Sequence, residues 1–154
     1  MRRPVRFEGI VISHLGNIDG RVPEKENTLV YVQSALDRGF HVCVQVAYRN
    51  GAFLLPRVRG YDLAKPAFLS RQRLWCCTDD AEAMDALCAI NAHAFFITER
   101  LPSLTTAQFV WTLPPHKLSS RSIAVFPEFV EQAWLDDEFN SPAGICSNTP
   151  LSYC

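Results

Sequence analysis

The sequence predicts an α/β fold, namely a compressed or incomplete (β/α) barrel of the TIM type, formed by a single domain over residues 1–154. Apolar strand-like runs alternate with helical segments, and this alternation is typical of parallel βαβ units. Three of the intervals between predicted strands are too short for a full helix, which favours an abbreviated barrel over a doubly wound sheet. The chain has 154 residues, whereas a complete eightfold barrel has about 250.

The first βαβ unit is predicted from a strand, a helix and a second strand. Residues 5–13 alternate and then run apolar, which indicates the first strand. A helix is expected to begin at Pro23 and to end before Gly39, because proline suits the first turn of a helix and glycine often follows the last. Residues 42–48 form the second strand, which the Asn50-Gly51 turn extends into a hairpin.

The remainder of the chain contains five further predicted strands and two further helices. The strands are short apolar runs at residues 73–77, 94–98, 109–113, 122–126 and 144–147. Thr78 is a suitable N-cap for a helix over residues 81–90, with Asp79 and Asp80 in its first turn. A last helix is expected over residues 129–139.

Composition and charge restrict the location and the partners that we expect. Hydrophobic residues make up 48% of the chain and charged residues 20%, as in soluble globular proteins. A net charge of −1 gives no electrostatic reason to expect nucleic acid or an anionic membrane as a partner. No transmembrane segment or signal peptide is predicted. We therefore expect an intracellular protein, cytoplasmic or organellar, and a mitochondrial location stays open because of Arg2 and Arg3.

The six cysteines are expected to be reduced thiols. None forms a Cys-x-x-Cys pair, and no Cys/His spacing suits zinc. Several lie inside apolar runs, where a cysteine behaves as a small hydrophobic residue.

A series of short motifs in a fixed order carries a family resemblance. The motifs are His14-Leu15-Gly16-Asn17, Glu26-Asn27-Thr28, Gly51 to Val58, Leu74-Trp75-Cys76-Cys77, Trp111 to Lys117, Phe126-Pro127-Glu128, and Gly144-Ile145-Cys146-Ser147-Asn148. On these motifs the chain resembles the glycerophosphodiester phosphodiesterases, in particular a short bacterial- and viral-type branch of this PI-PLC-like superfamily. The resemblance runs nearly end to end and implies a (β/α) barrel with its site at the carboxyl ends of the strands.

The resemblance also implies which residues would form a metal-dependent active site, and most of them are replaced. In the family a Glu-x-Asp strand binds a divalent cation, and Cys43 and Gln45 stand at those two positions. Two histidines serve the family as general base and acid. His14 keeps the place of one, and Arg57 stands at the place of the other.

Further family positions are altered in the same way. Leu15 replaces an arginine that would bind phosphate, Cys77 a histidine, and Asp79 a lysine. Val58 and Asn148 each replace an aspartate.

These replacements predict that the chain has no catalytic residues, no metal site and no cofactor. Hard cations need several oxygen ligands; Gln45 offers one neutral carbonyl, Cys43 none, and Glu26 is the nearest remaining carboxylate. His14, Arg57, Cys77 and Asp79 are then relics of catalytic positions, and Glu26, Cys43 and Gln45 are relics of metal positions.

The predicted function is that of a pseudoenzyme, a structural or interaction subunit of a larger assembly whose partners are other protein subunits. Residues 101–109 and 129–139 are expected to be buried against those partners, because an abbreviated barrel leaves sheet surface uncovered. Two alternatives stay open. One is a working metal-dependent phosphodiesterase whose rearranged site uses His14, Glu26, Asp79 and Glu128. The other is a module that binds a phosphorylated ligand in the old pocket.

Overall fold

A computed structural model describes residues 6–98, 101–130, 132–136 and 141–154. Within them the chain forms eleven strands and three α-helices. The strands are β1 (Ile10–His14), β2 (His41–Gln45), β3 (Ala47–Arg49), β4 (Ala52–Pro56), β5 (Tyr61–Ala64), β6 (Leu74–Thr78), β7 (Ala94–Phe96), β8 (Ser103–Leu104), β9 (Val110–Thr112), β10 (Ser122–Val125) and β11 (Gly144–Ser147). The helices are α1 (Leu29–Asp37), α2 (Pro66–Leu69) and α3 (Ala81–Ala89).

Eight strands form one nearly closed, barrel-like sheet. Their order is β7-β6-β2-β1-β11-β10-β9-β8, and every neighbouring pair is parallel except β8 and β9. The two edges approach each other where the Thr106 amide donates to the Ala94 carbonyl and the Ala94 amide donates to Thr106 Oγ1, both at 2.9 Å. The predicted α/β barrel-like architecture is thus confirmed, while its assignment to the TIM type stays a prediction.

The second predicted strand is in fact two strands in two different sheets. The prediction of one strand over residues 42–48 was wrong because the chain leaves the barrel at Val46, between β2 and β3. Strands β3, β4 and β5 form a separate antiparallel sheet of three strands. The hairpin prediction is confirmed: Asn50 and Gly51, with φ of 51° and 77°, connect β3 to β4.

Helix α1 begins later than the predicted Pro23. Residues 23–27 form turns, and Asn27 has a φ of 62°, in the left-handed region that a helix cannot contain. Thr28 is the N-cap, and its hydroxyl accepts a hydrogen bond from the Tyr31 amide at 3.3 Å. Helix α3 also differs from its prediction at the N-terminus: Asp80, not Thr78, is the N-cap, and its carboxylate accepts from the Glu82 and Ala83 amides.

The outer parts of the chain differ from their predictions as well. Strand β1 is Ile10–His14 rather than residues 5–13, and residue 5 lies outside the described residues. The predicted helix over residues 129–139 is replaced by 3-10 turns at Pro127–Phe129 and Gln132–Trp134, while residues 131 and 137–140 lie outside the described part of the chain. The short strands β5 and β8 and the helix α2 were missed.

Hydrophobic residues form two main clusters on the two faces of the large sheet. Outside the barrel, Val44 and Cys76 of the sheet pack with Val32 and Leu36 of α1 and Leu87 of α3. A second cluster fills the barrel interior: Ile12, Cys43, Trp75, Cys77, Phe95, Trp111, Ile123, Val125 and Cys146. Beyond this cluster, a pocket opens at the carboxyl ends of the strands. None of the helices in the described residues combines the length and apolar character needed to cross a membrane.

Candidate functional site

A pocket of about 250 Å³ lies where the parallel strands of the barrel end. Side chains from the ends of β1, β2, β6, β7, β9 and β10, or directly after them, line it. They are His14, Leu15, Cys43, Gln45, Cys77, Phe95, Ile97, Thr98, Trp111, Leu113, Val125 and Phe126. The structure thus brings four of the sequence-predicted site residues, His14, Cys43, Gln45 and Cys77, to one pocket at the carboxyl end of the sheet.

His14 ends strand β1 and is held by contacts on two sides. Its Nδ1 lies 3.1 Å from Asn148 Oδ1, and its ring meets the Phe126 ring edge-on with 4.8 Å between centroids. Asn148 Oδ1 also accepts a hydrogen bond from Asn17 Nδ2 at 3.1 Å, so His14 Nδ1 carries the proton and donates. Burial lowers the pKa of His14 below its usual value, and the imidazole is therefore neutral near pH 7.

Glu26 forms hydrogen bonds with two protein side chains, and it lines a second cavity with Gln45 and Arg57. Arg21 donates to both of its carboxylate oxygens, from Nε to Oε1 at 2.8 Å and from Nη2 to Oε2 at 3.2 Å. Asn17 Nδ2 donates to Oε1 at 3.1 Å. The hydrogen bond from Arg21 is the main reason that the pKa of Glu26 is lowered, so the carboxylate is charged.

Asn27 connects the turn before α1 to strand β2. Its side-chain amide donates to the Gln45 and Pro56 carbonyls at 2.9 and 2.7 Å, and its Oδ1 accepts from the Gln45 amide at 2.9 Å. The buried amides Asn17 and Asn27 were not selected as site residues from the sequence. Each lies inside one of the family motifs. What marks them as important is that their polar side chains are buried, and this burial is visible only in the folded structure.

Two thiols form the floor of the pocket. Cys43 Sγ and Cys77 Sγ lie 3.8 Å apart, on the neighbouring strands β2 and β6. Hydrogen bonding to Cys146 and burial raise the pKa of Cys43, and hydrogen bonding to Cys43 and burial raise that of Cys77. Cys76 points to the other face of the sheet, where its thiol donates to the Leu69 carbonyl. The pocket floor is therefore neutral at physiological pH.

Several sequence-predicted site residues lie away from this pocket. Arg57 is exposed, and its Nε pairs with Asp62 Oδ1 at 3.2 Å. Val58 is 67% exposed. Asp79 is exposed beyond the end of β6 and does not line the pocket.

Glu128 lies behind the site and holds the backbone of Asn148. Its Oε1 accepts from the Asn148 amide at 2.9 Å, while its Oε2 is buried without a hydrogen-bond partner. Over the part of the chain that the structure describes, no group of three or more His, Cys, Asp or Glu side chains is placed to hold a metal ion. The alternative constellation of His14, Glu26, Asp79 and Glu128 is accordingly not gathered around one cavity, because Asp79 is exposed outside it.

Comparison of the chain with protein-family models, with curated proteins and with solved structures found no match. The chain's own pocket and surface therefore carry the conclusions about its function.

Proposed function

We propose that this protein is a catalytically inactive, glycerophosphodiester phosphodiesterase-like barrel that serves as a structural or interaction subunit of a larger protein assembly. The observation that carries this proposal is the pair of protonated thiols, Cys43 and Cys77, 3.8 Å apart at the floor of the pocket. The family resemblance implies a metal-binding glutamate and a histidine at these two places. Neutral thiols there supply neither a ligand for a hard cation nor a proton acceptor near neutral pH.

The oxygen atoms near the pocket are too few, or already engaged, for calcium or magnesium. Gln45 contributes one neutral side-chain carbonyl to the lining. Both oxygens of Glu26 accept hydrogen bonds from Arg21, and Oε1 also accepts from Asn17. Calcium takes about six to eight oxygen ligands and magnesium about six, water included, and either site is normally built on at least one or two carboxylates free to bind the ion.

The pocket also lacks the second of the two acid–base residues that the family mechanism uses. His14 is a neutral imidazole and could accept a proton at Nε2. Arg57, which stands at the family's second histidine position, is paired with Asp62 outside the pocket and cannot donate or accept a proton near neutral pH. The loss of one acid–base partner costs about 10²–10⁴-fold in rate, and the loss of a metal removes several kcal/mol more.

Exposed apolar side chains support the interaction role. Leu101, Leu104 and Phe129 are 66%, 67% and 70% exposed in the isolated chain. Leu104 belongs to β8, a strand of two residues at the edge of the large sheet. Exposed apolar groups and strand edges of this kind favour burial against a partner. Leu101, Leu104 and Phe129 lie in the two segments that the sequence assigns to partner contacts.

The assembly role is tested by the native mass of the tagged chain in an extract of its own cells. We expect the wild-type chain to elute well above its own 17.4 kDa. The double variant Leu104→Ser with Phe129→Ser should elute at the monomer position. Val30→Ser is the matched control, because Val30 is 82% exposed on α1, and it should keep the large species. A monomeric wild-type chain, or an unchanged elution of the double variant, would contradict the proposal.

A further inference from the structure

The pocket at the strand ends has a mainly apolar wall. Phe95, Trp111, Leu113, Val125 and Phe126 belong to it, above the two thiols of the floor. An apolar cavity of about 150 Å³ stays dry and holds one benzene molecule, which has six non-hydrogen atoms. By the same proportion, a pocket of about 250 Å³ accommodates about ten such atoms.

The electrostatics of the pocket select a ligand without charge. Of the twelve described residues that line it, none is Asp, Glu, Lys or Arg. His14 is neutral because burial lowers its pKa, and the thiols of Cys43 and Cys77 stay protonated. A phosphate or carboxylate would lose its hydration in this pocket without gaining a counter-charge from these residues, which is costly.

His14 Nε2 is a polar atom of the lining that can orient a ligand, and the Gln45 amide and the Thr98 hydroxyl lie in the same lining. Because His14 Nδ1 donates to Asn148 Oδ1, the unprotonated Nε2 is a hydrogen-bond acceptor. Nε2 has no hydrogen-bond partner among the described residues. Among these residues, Glu128 Oε2 is the one fully buried side-chain nitrogen or oxygen that lacks a hydrogen-bond partner. His14 Nε2 also lacks a partner, and it is therefore not fully buried but accessible. Since His14 lines the pocket, its Nε2 can accept a hydrogen bond there from a donor group on a ligand.

We propose that this pocket binds a small neutral, mainly apolar molecule of about ten non-hydrogen atoms that carries one hydroxyl group, and that the hydroxyl donates a hydrogen bond to His14 Nε2. Burial of the hydrocarbon part supplies most of the affinity. The hydrogen bond supplies orientation and a preference for an alcohol or phenol over an ether of the same shape. The pocket lies at the place of the phosphodiester site that the family resemblance implies, but its ligand is neutral and carries no phosphate. The proposal does not depend on the assembly role.

The proposal is tested with three probes of similar size on the wild-type chain. They are 4-propylphenol, its methyl ether 4-propylanisole, and the anion phenyl phosphate. Titration calorimetry should show one saturable site for 4-propylphenol and about three- to tenfold weaker binding of the ether, which cannot donate. Phenyl phosphate should give no saturable heat. Amide chemical shifts should change around His14, Gln45 and Trp111, which line the pocket from three strands.

Two variants separate the hydrogen bond from the rest of the pocket. In His14→Ala the phenol and the ether should bind equally well, while His116→Ala, the same change outside the pocket lining, should keep the preference. Equal affinities of the two probes for wild type, binding of phenyl phosphate as tight as that of the phenol, or shift changes elsewhere on the chain would each overturn the proposal. Absence of any saturable binding would overturn it as well. The comparison of probes on wild type decides the question even if His14→Ala does not fold.

Discussion

His93 is a partly buried histidine at the closure of the barrel, and its environment should make the protein sensitive to acid. Its ring centroid lies 4.0 Å from that of Trp75 and 6.1 Å from that of Phe109, and its Nε2 is 2.7 Å from Thr105 Oγ1. Burial, with a smaller contribution from His41, lowers the pKa of His93 to about 4. The folded protein therefore resists protonation of this ring over a pH range in which the unfolded chain is readily protonated.

The sign and size of the effect follow from this difference in pKa. Below a pH of about 6.5 the unfolded chain binds a proton that the folded protein does not, so the free energy of unfolding falls as the pH falls. Between neutral pH and pH 5, a shift from 6.5 to about 4 corresponds to about 2 kcal/mol. Solvent access to the half-buried ring reduces this to about 1 kcal/mol. His14 and His41, whose pKa values burial also lowers, act in the same direction.

Urea unfolding of wild type and His93→Phe at neutral pH and at pH 5 measures this contribution. The variant should lose about 1 kcal/mol less than wild type over that interval, because phenylalanine does not titrate. Phe53→Leu is the control: it replaces a buried aromatic ring that packs on Tyr48 in a different cluster, and it should lower the free energy of unfolding equally at both pH values. If His93→Phe and wild type lose the same amount, the reasoning about this ring is refuted.

Three further predictions concern the pocket and its supports. Cys43 and Cys77 should resist iodoacetamide in the native protein, because the pKa values of these two thiols are raised, while the exposed Cys88 is alkylated. Peptide mass spectrometry measures this, and fast labelling of Cys43 or Cys77 would contradict the neutral pocket floor. Asn27→Ala should lower the free energy of unfolding by about 2–4 kcal/mol in denaturant titrations, because it removes three hydrogen bonds and places alanine at a φ of 62°. A loss below about 0.5 kcal/mol would refute the role of Asn27 in connecting the turn to β2. Cys43→Glu combined with Gln45→Asp should give weak, saturable calcium binding in calorimetry without measurable hydrolysis; appreciable turnover would show that the missing second histidine is dispensable.

The sequence predicts those features that depend on local patterns. Apolar runs mark the strands of the barrel, and parallel strands place their carboxyl ends at one edge of the sheet. Together with the motifs of the family resemblance, that rule predicts His14, Gln45 and Cys77 at one edge of the sheet, and all three line one pocket. Gly144–Ser147, a short apolar run, is a strand with the predicted bounds.

Features that depend on contacts between distant segments were not predictable in the same way. Val46 lies in an uninterrupted apolar run, and nothing local marks the point at which the chain passes from one sheet to another. The late start of α1 follows from the left-handed conformation of Asn27, which hydrogen bonds to Gln45 and Pro56 stabilise. Arg57 was assigned a position at the pocket by its motif, but its ion pair with Asp62 lies outside the pocket.

The most direct test of the central claim is a hydrolysis assay of the purified chain with glycerophosphodiesters at millimolar calcium or magnesium, with His14→Ala alongside. We expect wild type and variant both to remain at the uncatalysed rate. The reasons are the neutral thiols of Cys43 and Cys77, the hydrogen-bonded carboxylate of Glu26, and the ion pair of Arg57 outside the pocket. Calorimetric titration of the same samples with either cation should give no saturable heat. Hydrolysis by the wild-type chain that His14→Ala abolishes would contradict the account and favour a rearranged, working active site.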